Sequence, residues 1–182
     1  MMFKTGRYTY ASDLDWEALA LFVRSEKKEG VPGCFIAILP QGDARDFAAA
    51  LSPEKFDSIC KSLAAAAPRQ VRVGMPRFEQ RTATFPLTNA LKSCGLQRIF
   101  TPQADLSGFA DAPLYLSEVL QRCYVKADEQ GAKAVAVTGV MVIVSASPRC
   151  PVSFIMDRPF IWAITDLENS AAPLFMGFFA AP

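Results

Sequence analysis

The sequence contains no histidine among its 182 residues. This absence excludes Ser-His-Asp and Cys-His nucleophile pairs, as well as every metal site that needs imidazole. Glycine-rich phosphate-binding loops are absent too. An acid pair such as Asp43 and Asp46 is at the expected start of a helix, where acids usually serve as caps. We therefore expect no enzyme, no metal and no cofactor.

Charge of one sign is also lacking, because 19 basic and 18 acidic side chains leave a net charge of +1. No basic block stands out, so we expect no binding to nucleic acid or to an anionic membrane. The longest uncharged stretch, Ala134 to Pro148, falls short of the roughly 20 apolar residues that a membrane helix needs. No signal peptide is visible at the start of this chain.

The cysteines form no Cys-x-x-Cys pair, and their odd number cannot pair fully within one chain. We interpret them as separate thiols. Cys60 shares a predicted helical face with Phe56 and Leu63, and Cys94 shares one with Leu91, so both are expected to be packed. The five are Cys34, Cys60, Cys94, Cys123 and Cys150.

Runs rich in β-branched and aromatic residues predict strands along most of the chain. Two of them, Trp16–Val23 and Cys34–Pro40, are apolar on both faces, as expected of strands covered by layers on both sides and joined as a hairpin. The other predicted strands are Met1–Tyr10, Gln70–Glu79 with its pairing limited by Pro76, Leu114–Asp128, the end of Phe154–Ile164, and Leu174–Phe179. The last two are expected to form a hairpin, and Leu116, Val119 and Val125 are expected to be buried.

Helical patterns are fewer. Residues 44–67 are predicted to be helical with a break near Ser52, which is followed by Pro53 and Glu54 in the manner of a helix start. A short helix over Pro86–Cys94 is closed by Gly95.

The most informative stretch begins with an acidic pair, Asp128 and Glu129, and a glycine at position 131. Small and β-branched residues follow, and period-two alternation separates them into two faces. Lys133, Val135 and Val137 form one face, whereas the other is small enough to slide under a covering layer and consists of Ala132, Ala134, Ala136 and Thr138.

This stretch resembles the hinge and reactive loop of the serpins, whose pattern is Glu-Glu-Gly followed by a small residue and an Ala-rich run. The departures, Gln130, Lys133, Val135 and Val137, lie mainly on the face that would look outward after insertion. The positions that match are Glu129, Gly131, Ala132, Ala134, Ala136 and Thr138. Four further segments resemble serpins in the right order, namely Met75-Pro76-Arg77-Phe78, residues 91–96, Asp157-Arg158-Pro159-Phe160 and residues 173–177.

The resemblance implies an α+β fold of the mixed multi-sheet serpin type, with residues 1–182 forming the C-terminal portion of a single domain. It also implies a reactive loop at about residues 129–153 and the activity of a serine-type endopeptidase inhibitor. A target peptidase attacks the loop as a substrate, and the cleaved hinge then inserts into the main sheet as an added strand. The catalytic groups therefore belong to the target peptidase.

The reactive bond is predicted from the family spacing. Counting forward from Gly131 places the bond at Ser145–Ala146, whereas counting back from Phe154 allows a position as late as Pro148. Ser145 suits an elastase-like or subtilisin-like peptidase with a small apolar pocket, whereas Arg149 would suit a trypsin-like one but lies late by either count. We favour Ser145–Ala146.

Two other functional classes remain open. One is a non-inhibitory carrier or chaperone with the same fold, which would not need the small-residue hinge. The other is a truncated fragment without inhibitory function, because the resemblance covers only the C-terminal half of a serpin. The family is associated with the extracellular space, and a cytoplasmic location is the alternative.

The missing half leads to an expectation about association. A sheet without some of its strands exposes an unpaired edge, and Val135 to Val144 is a β-prone segment without charge or proline that can pair with such an edge on another copy. We expect self-association, and we expect the chain to be either the product of an internal start at Met1 or a partner-dependent fragment.

Overall fold

The strands account for most of the regular structure. In the computed structural model of the protein the described residues are 1–22, 33–110, 112–127, 151–167 and 170–180. The strands are β1 (Met2–Ser12), β2 (Trp16–Phe22), β3 (Cys34–Pro40), β4 (Arg69–Met75), β5 (Phe78–Arg81), β6 (Phe85–Pro86), β7 (Leu120–Gln121), β8 (Tyr124–Ala127), β9 (Val152–Ile155), β10 (Phe160–Asp166) and β11 (Ser170–Phe179).

Three α-helices occur in the described residues, α1 (Ala44–Ala49), α2 (Pro53–Ala65) and α3 (Thr88–Ser93). The break predicted near Ser52 is confirmed, because the Ser52 hydroxyl accepts a hydrogen bond from the Lys55 backbone N–H at 3.2 Å and thereby caps α2. The carboxylate of Asp43 caps α1 by accepting from two backbone N–H groups, those of Arg45 and Asp46. Capping by side chains therefore fixes both helix starts.

Seven strands form one sheet in the described part of the chain, in the order β11-β10-β3-β2-β1-β4-β9. All neighbours run antiparallel except β4 and β9, which are parallel. The predicted hairpin of the second and third strands is confirmed, with Leu19 opposite Ala37. The last two strands also form the predicted hairpin, in which Trp162 lies opposite Gly177.

The core lies around β3, all seven residues of which are buried. Helices α1 and α2 cover one face of the sheet there, and Cys34, Ile36 and Ile38 of β3 pack into the same cluster as Ile59 and Leu63 of α2. The prediction that this strand is covered on both faces is confirmed, because Phe35 and Leu39 on its other face are buried as well.

The chain divides into two compact units, one of residues 1–78 and 127–182, the other of residues 79–126. The second unit holds the ribbons β5–β8 and β6–β7, helix α3 and a 3₁₀ turn at Arg98–Phe100. None of its described residues is buried. Two-stranded ribbons are marginal by themselves, so this unit has little stability of its own.

Three predictions in this unit are wrong. The long strand expected over Leu114–Asp128 is instead two short strands, β7 and β8, and the described residues before Leu120 form no strand. Leu116, Val119 and Val125, expected to be buried, are only half-buried. Cys94 is exposed instead of packed, because α3 buries no residue on any face.

No helix in the described residues is long and apolar enough to cross a membrane.

Candidate reactive-loop region

The residues predicted to form the site lie outside the described residues. This applies to the whole hinge, from Glu129 through Gly131, Ala132, Ala134 and Ala136 to Thr138, and equally to the predicted bond between Ser145 and Ala146. The structure describes the strands on either side of this segment, β8 before it and β9 after it.

Side chains reinforce the pairing of β8 with β5. The Thr82 hydroxyl accepts a hydrogen bond from the Cys123 N–H at 2.8 Å, and the Thr82 N–H donates to the Cys123 carbonyl at 3.0 Å. The Arg81 guanidinium lies 4.9 Å from the centre of the Tyr124 ring. In the described part of the chain this sheet has two strands. The described residues before the predicted hinge thus end at residue 127, in a short two-stranded ribbon.

Strand β9, which follows the segment predicted to be the reactive loop, is anchored much more firmly than β8. Phe154 and Met156 are completely buried, and the Met156 N–H donates to the Gly74 carbonyl at 2.8 Å. The ring of Phe154 meets that of Tyr10 edge to face at 6.2 Å between centroids. Strand β9 is therefore fixed in the core.

Close packing at Gly74 fixes β9 against its neighbours. A Cβ atom built on Gly74 would lie 2.8 Å from Cε1 of Phe3 on β1 and 3.0 Å from Cδ1 of Ile155 on β9. The absence of a side chain at this position leaves the space over the middle strand to Phe3 and Ile155.

The two buried thiols, Cys34 and Cys60, have low reactivity. Burial raises the pKa of Cys34 to about 12, and burial raises the pKa of Cys60 to about 11. A thiol that stays protonated is a poor nucleophile and a poor metal ligand. Packing of Cys60, predicted from its helical face, is confirmed. No group of three or more Cys, Asp or Glu in the described ranges can hold a metal ion.

Sequence reasoning missed one feature beside strand β9. Arg69 and Arg72 of β4 and Arg7 of β1 are exposed and lie near the start of β9. Only the pairing of β4 with β9, a strand far along the chain, brings these arginines near the segment predicted to be the loop.

Known proteins resemble this chain over most of its length. The family model described as Serpin (serine protease inhibitor) matches residues 1–182. Serpin B11 of Mus musculus is 40% identical over 116 residues, which are 63% of this chain and 29% of that protein. Iripin-2 of Ixodes ricinus is 29% identical over 165 residues, which are 90% of this chain and 39% of that protein.

A solved serpin structure has a fold similar to that of this chain. The native state of the thermophilic serpin Tengpin matches all of this chain and 46% of its own chain, with 29% identity and a TM-score of 0.65. The chain belongs to the serpin family, and its α+β fold is that of a partial serpin. It spans less than half the length of the relatives named here. The membership in the serpin family that the sequence resemblance implied is therefore confirmed.

Proposed function

We propose that residues of about 129–153 form a reactive loop and that this chain supplies it to an inhibitor of serine endopeptidases. The observation that carries the proposal is the small-residue hinge at positions 131–138 in a chain that belongs to the serpin family. The firm anchoring of β9 by buried Phe154 supports it, because a loop offered to a peptidase needs at least one fixed end.

In this proposal the hinge is the part that moves. The target's nucleophile first cleaves Ser145–Ala146. The segment from Glu129 to Thr138 then enters the main sheet of the complete serpin fold as a strand and carries the acylated peptidase with it. Ala132, Ala134 and Ala136 then face packed side chains, where a larger residue costs about 1–3 kcal/mol per site. The chain itself needs no catalytic group.

Limited proteolysis tests the position of the bond. The 182-residue chain is incubated with an elastase-like and with a subtilisin-like peptidase, and the new N-terminus is sequenced. We expect the new chain to begin at Ala146. A new N-terminus at Cys150 would move the reactive bond to Arg149 and the target class to trypsin-like peptidases. Absence of any cut between residues 129 and 153 would overturn the proposal.

A second candidate is a partner-dependent half of an inhibitor, and the second unit favours it. Phe85, Leu120 and Tyr124 on its short ribbons are exposed to 39%, 56% and 51%, and no described residue of the unit is buried. In this candidate residues 1–182 are the C-terminal portion of one serpin domain, completed by polypeptide that corresponds to the unmatched part of Tengpin. Extracellular location stays a prediction from the family.

A denaturing gel separates the two candidates. The chain alone is expected to be cut by the peptidase without forming a covalent complex, because the loop needs a strand on each side to insert. Mixing with a separately produced N-terminal half of Tengpin is expected to restore a peptidase-sized shift. Association of the chain with itself is measured by sedimentation, and a purely monomeric chain that forms covalent complexes unaided would contradict this second candidate.

A further inference from the structure

Strand β9 lies at one edge of the seven-stranded sheet, and in the described part of the chain it pairs only with β4. The Met156 N–H donates to the Gly74 carbonyl, so the backbone groups of every second residue, counted back from Met156, point towards β4. The N–H and C=O groups of Ser153 and Ile155 therefore point away from the sheet. These groups form an edge with which a further strand can pair.

A proline limits this edge to one register. Pro151 lies two residues before Ser153, at a position that also points outward, and it has no N–H to donate. At the other end β9 stops at Ile155. An added strand therefore pairs opposite Ser153 and Ile155, which determines which of its side chains lie over the exposed face of the sheet.

The exposed face beside this edge contains a polar row with a positive charge. Thr5, Arg72 and Ser153 lie opposite one another across β1, β4 and β9, so their side chains are on the same face. One row further along this face, Arg7 lies opposite Gln70. All five side chains are exposed. The face therefore offers hydrogen-bond donors and two guanidinium groups to an added strand.

The neighbouring row on the same face is apolar. Phe3 lies opposite Gly74, and Gly74 lies opposite Ile155. Phe3 is 56% exposed, and the guanidinium carbon of Arg72 lies 5.4 Å from the centre of its ring. A strand added to β9 continues both rows, because one of its side chains lies next to Ser153 and another lies next to Ile155.

Charge favours an acidic side chain at the position next to Ser153. Strands β1, β4 and β9 contain no Asp or Glu, and Asp157, two residues past β9, is followed at once by Arg158. The added side chain is two strand spacings, about 10 Å, from the backbone of Arg72, and the long arginine side chain spans most of this gap. A carboxylate is attracted there, whereas an ammonium group is repelled.

A second copy of this chain fits the edge less well. Antiparallel pairing of β9 with β9 of another copy would place Arg7 and Arg72 of both copies on one continuous face, and no acidic residue of these strands would lie between them. Like charges on one face disfavour such a pair. Charge complementarity therefore favours a different polypeptide.

We propose that the edge of β9 binds an extended segment of a partner protein by strand addition. The segment carries an acidic side chain opposite Ser153 and an apolar side chain opposite Ile155. Antiparallel pairing is the more stable arrangement, so the apolar residue precedes the acidic residue by two positions in the partner. Backbone hydrogen bonds provide the attraction, and Arg72 provides the selection of sequence. This inference does not depend on the reactive loop.

The test measures the binding of labelled peptides to the complete 182-residue chain by fluorescence anisotropy. The first peptide is about seven residues long and consists of threonine, except for an isoleucine followed two positions later by a glutamate. The second has lysine in place of glutamate, and the third has isoleucine and glutamate exchanged. We expect the first to bind about 5-fold more tightly than the others at about 20 mM salt, and its advantage over the lysine peptide to shrink at about 300 mM salt.

Substitutions in the protein test the two parts of the proposal separately. Arg72→Glu should reverse the preference, so that the lysine peptide binds more tightly than the glutamate peptide. Arg45→Glu is the matched control, since Arg45 is also exposed but lies on α1, which packs on β3 and β10. Ser153→Pro removes an outward N–H and should abolish binding, whereas Ser153→Thr keeps this N–H and should bind like the parent chain.

Circular dichroism shows whether each variant folds. If Ser153→Pro does not fold, the first peptide is N-methylated at its isoleucine and glutamate, which removes the same hydrogen bonds and leaves the protein unchanged. N-methylation is expected to abolish binding.

Equal binding of the glutamate and lysine peptides overturns the proposal, as does binding that survives Ser153→Pro or N-methylation. An equal loss of preference in Arg45→Glu overturns it too, because net charge alone would then explain the effect. If no peptide binds and the chain associates with itself in a way that Ser153→Pro abolishes, the edge belongs to a second copy and the proposal is wrong. None of these results affects the reactive-loop proposal, because no peptidase is used.

Discussion

Trp162 of β10 lies directly against the bare backbone of Gly177 on β11, its partner in the antiparallel pair. A Cβ atom added at Gly177 would come within 2.5 Å of the ring carbon Cε2 and 2.8 Å of the ring nitrogen Nε1. The ring has little freedom to retreat, because it stacks on Phe35 with 6.2 Å between centroids and contacts Phe78 as well. The hairpin at this edge of the sheet therefore requires a glycine at position 177.

Gly177→Ala is expected to destabilise the protein by about 1–3 kcal/mol, because the new methyl group must displace a packed indole or part the two strands. Urea unfolding followed by tryptophan fluorescence measures the change in the free energy of unfolding. Gly42→Ala is the control, since a Cβ there meets nothing within 4 Å. A loss at position 177 no larger than that at position 42 would contradict the argument.

Thiol reactivity should follow burial. Cys34 and Cys60 are expected to resist iodoacetamide at about pH 8, because their raised pKa values leave very few thiolates and their side chains are inaccessible. Cys94 is exposed and should be alkylated before either of them. Mass spectrometry of peptides over time gives the order. Labelling of Cys34 as fast as that of Cys94 in folded protein would contradict the burial of Cys34 in β3.

Stability should fall at alkaline pH, in part because of these two thiols. The fold binds their protons more tightly than the unfolded chain does, so their contribution is complete below the ordinary thiol pKa of 9.0 and is lost as pH rises towards 11–12. The double variant Cys34→Ala, Cys60→Ala should lose less stability between about pH 8 and about pH 10.5 than the parent chain. An identical loss in both proteins would assign the effect to other groups.

Ala134→Glu and Ala136→Glu, introduced into a complete inhibitor that carries this half, should convert inhibition into simple cleavage. A carboxylate on the inward face of the inserting hinge must be buried against packed side chains, which slows insertion. A denaturing gel reports the yield of covalent complex. Lys133→Glu is the control, because the same carboxylate then lies on the outward face. Unchanged yield in all three variants would refute the predicted inward face.

Residues 79–126 should exchange their amide hydrogens far sooner than the seven-stranded sheet. None of the described residues in this unit is buried, whereas β3 is buried along its whole length. Hydrogen exchange with mass spectrometry is expected to show little protection over α3 and β7 and strong protection over β3 and β10. Equal protection in the two units of the isolated chain would contradict this expectation.

The sequence predicted most accurately the elements that contain their own signals. Ser52 and Pro53 mark a helix start by local chemistry, and the continuous apolar run of Cys34–Pro40 predicts a covered strand because no surface strand carries such a run. The family itself followed from the hinge and four ordered segments. These features need no knowledge of distant contacts.

The errors arose where apolar residues are not covered by a core in the described part of the chain. Leu116, Val119 and Val125 were expected to be buried because of their side chains, yet nothing in the described part of the chain covers them fully. Cys94 was assigned to a packed face for the same reason. Similarly, nothing local in β4 indicates that Arg69 and Arg72 lie beside Val152, because that proximity arises from a parallel pairing across a long separation.

The position of β3 in the sheet has a consequence for synthesis on the ribosome. Its first neighbour, β2, precedes it, but its second neighbour is β10, and Ile38 pairs with Ile161. At ~5–20 residues per second, the ~120 residues between them take about 6–24 s to be made. During that interval one edge of the most apolar strand has no native partner. We expect nascent chains stalled shortly before Phe160 to recruit chaperones more strongly than chains released after β10 is complete.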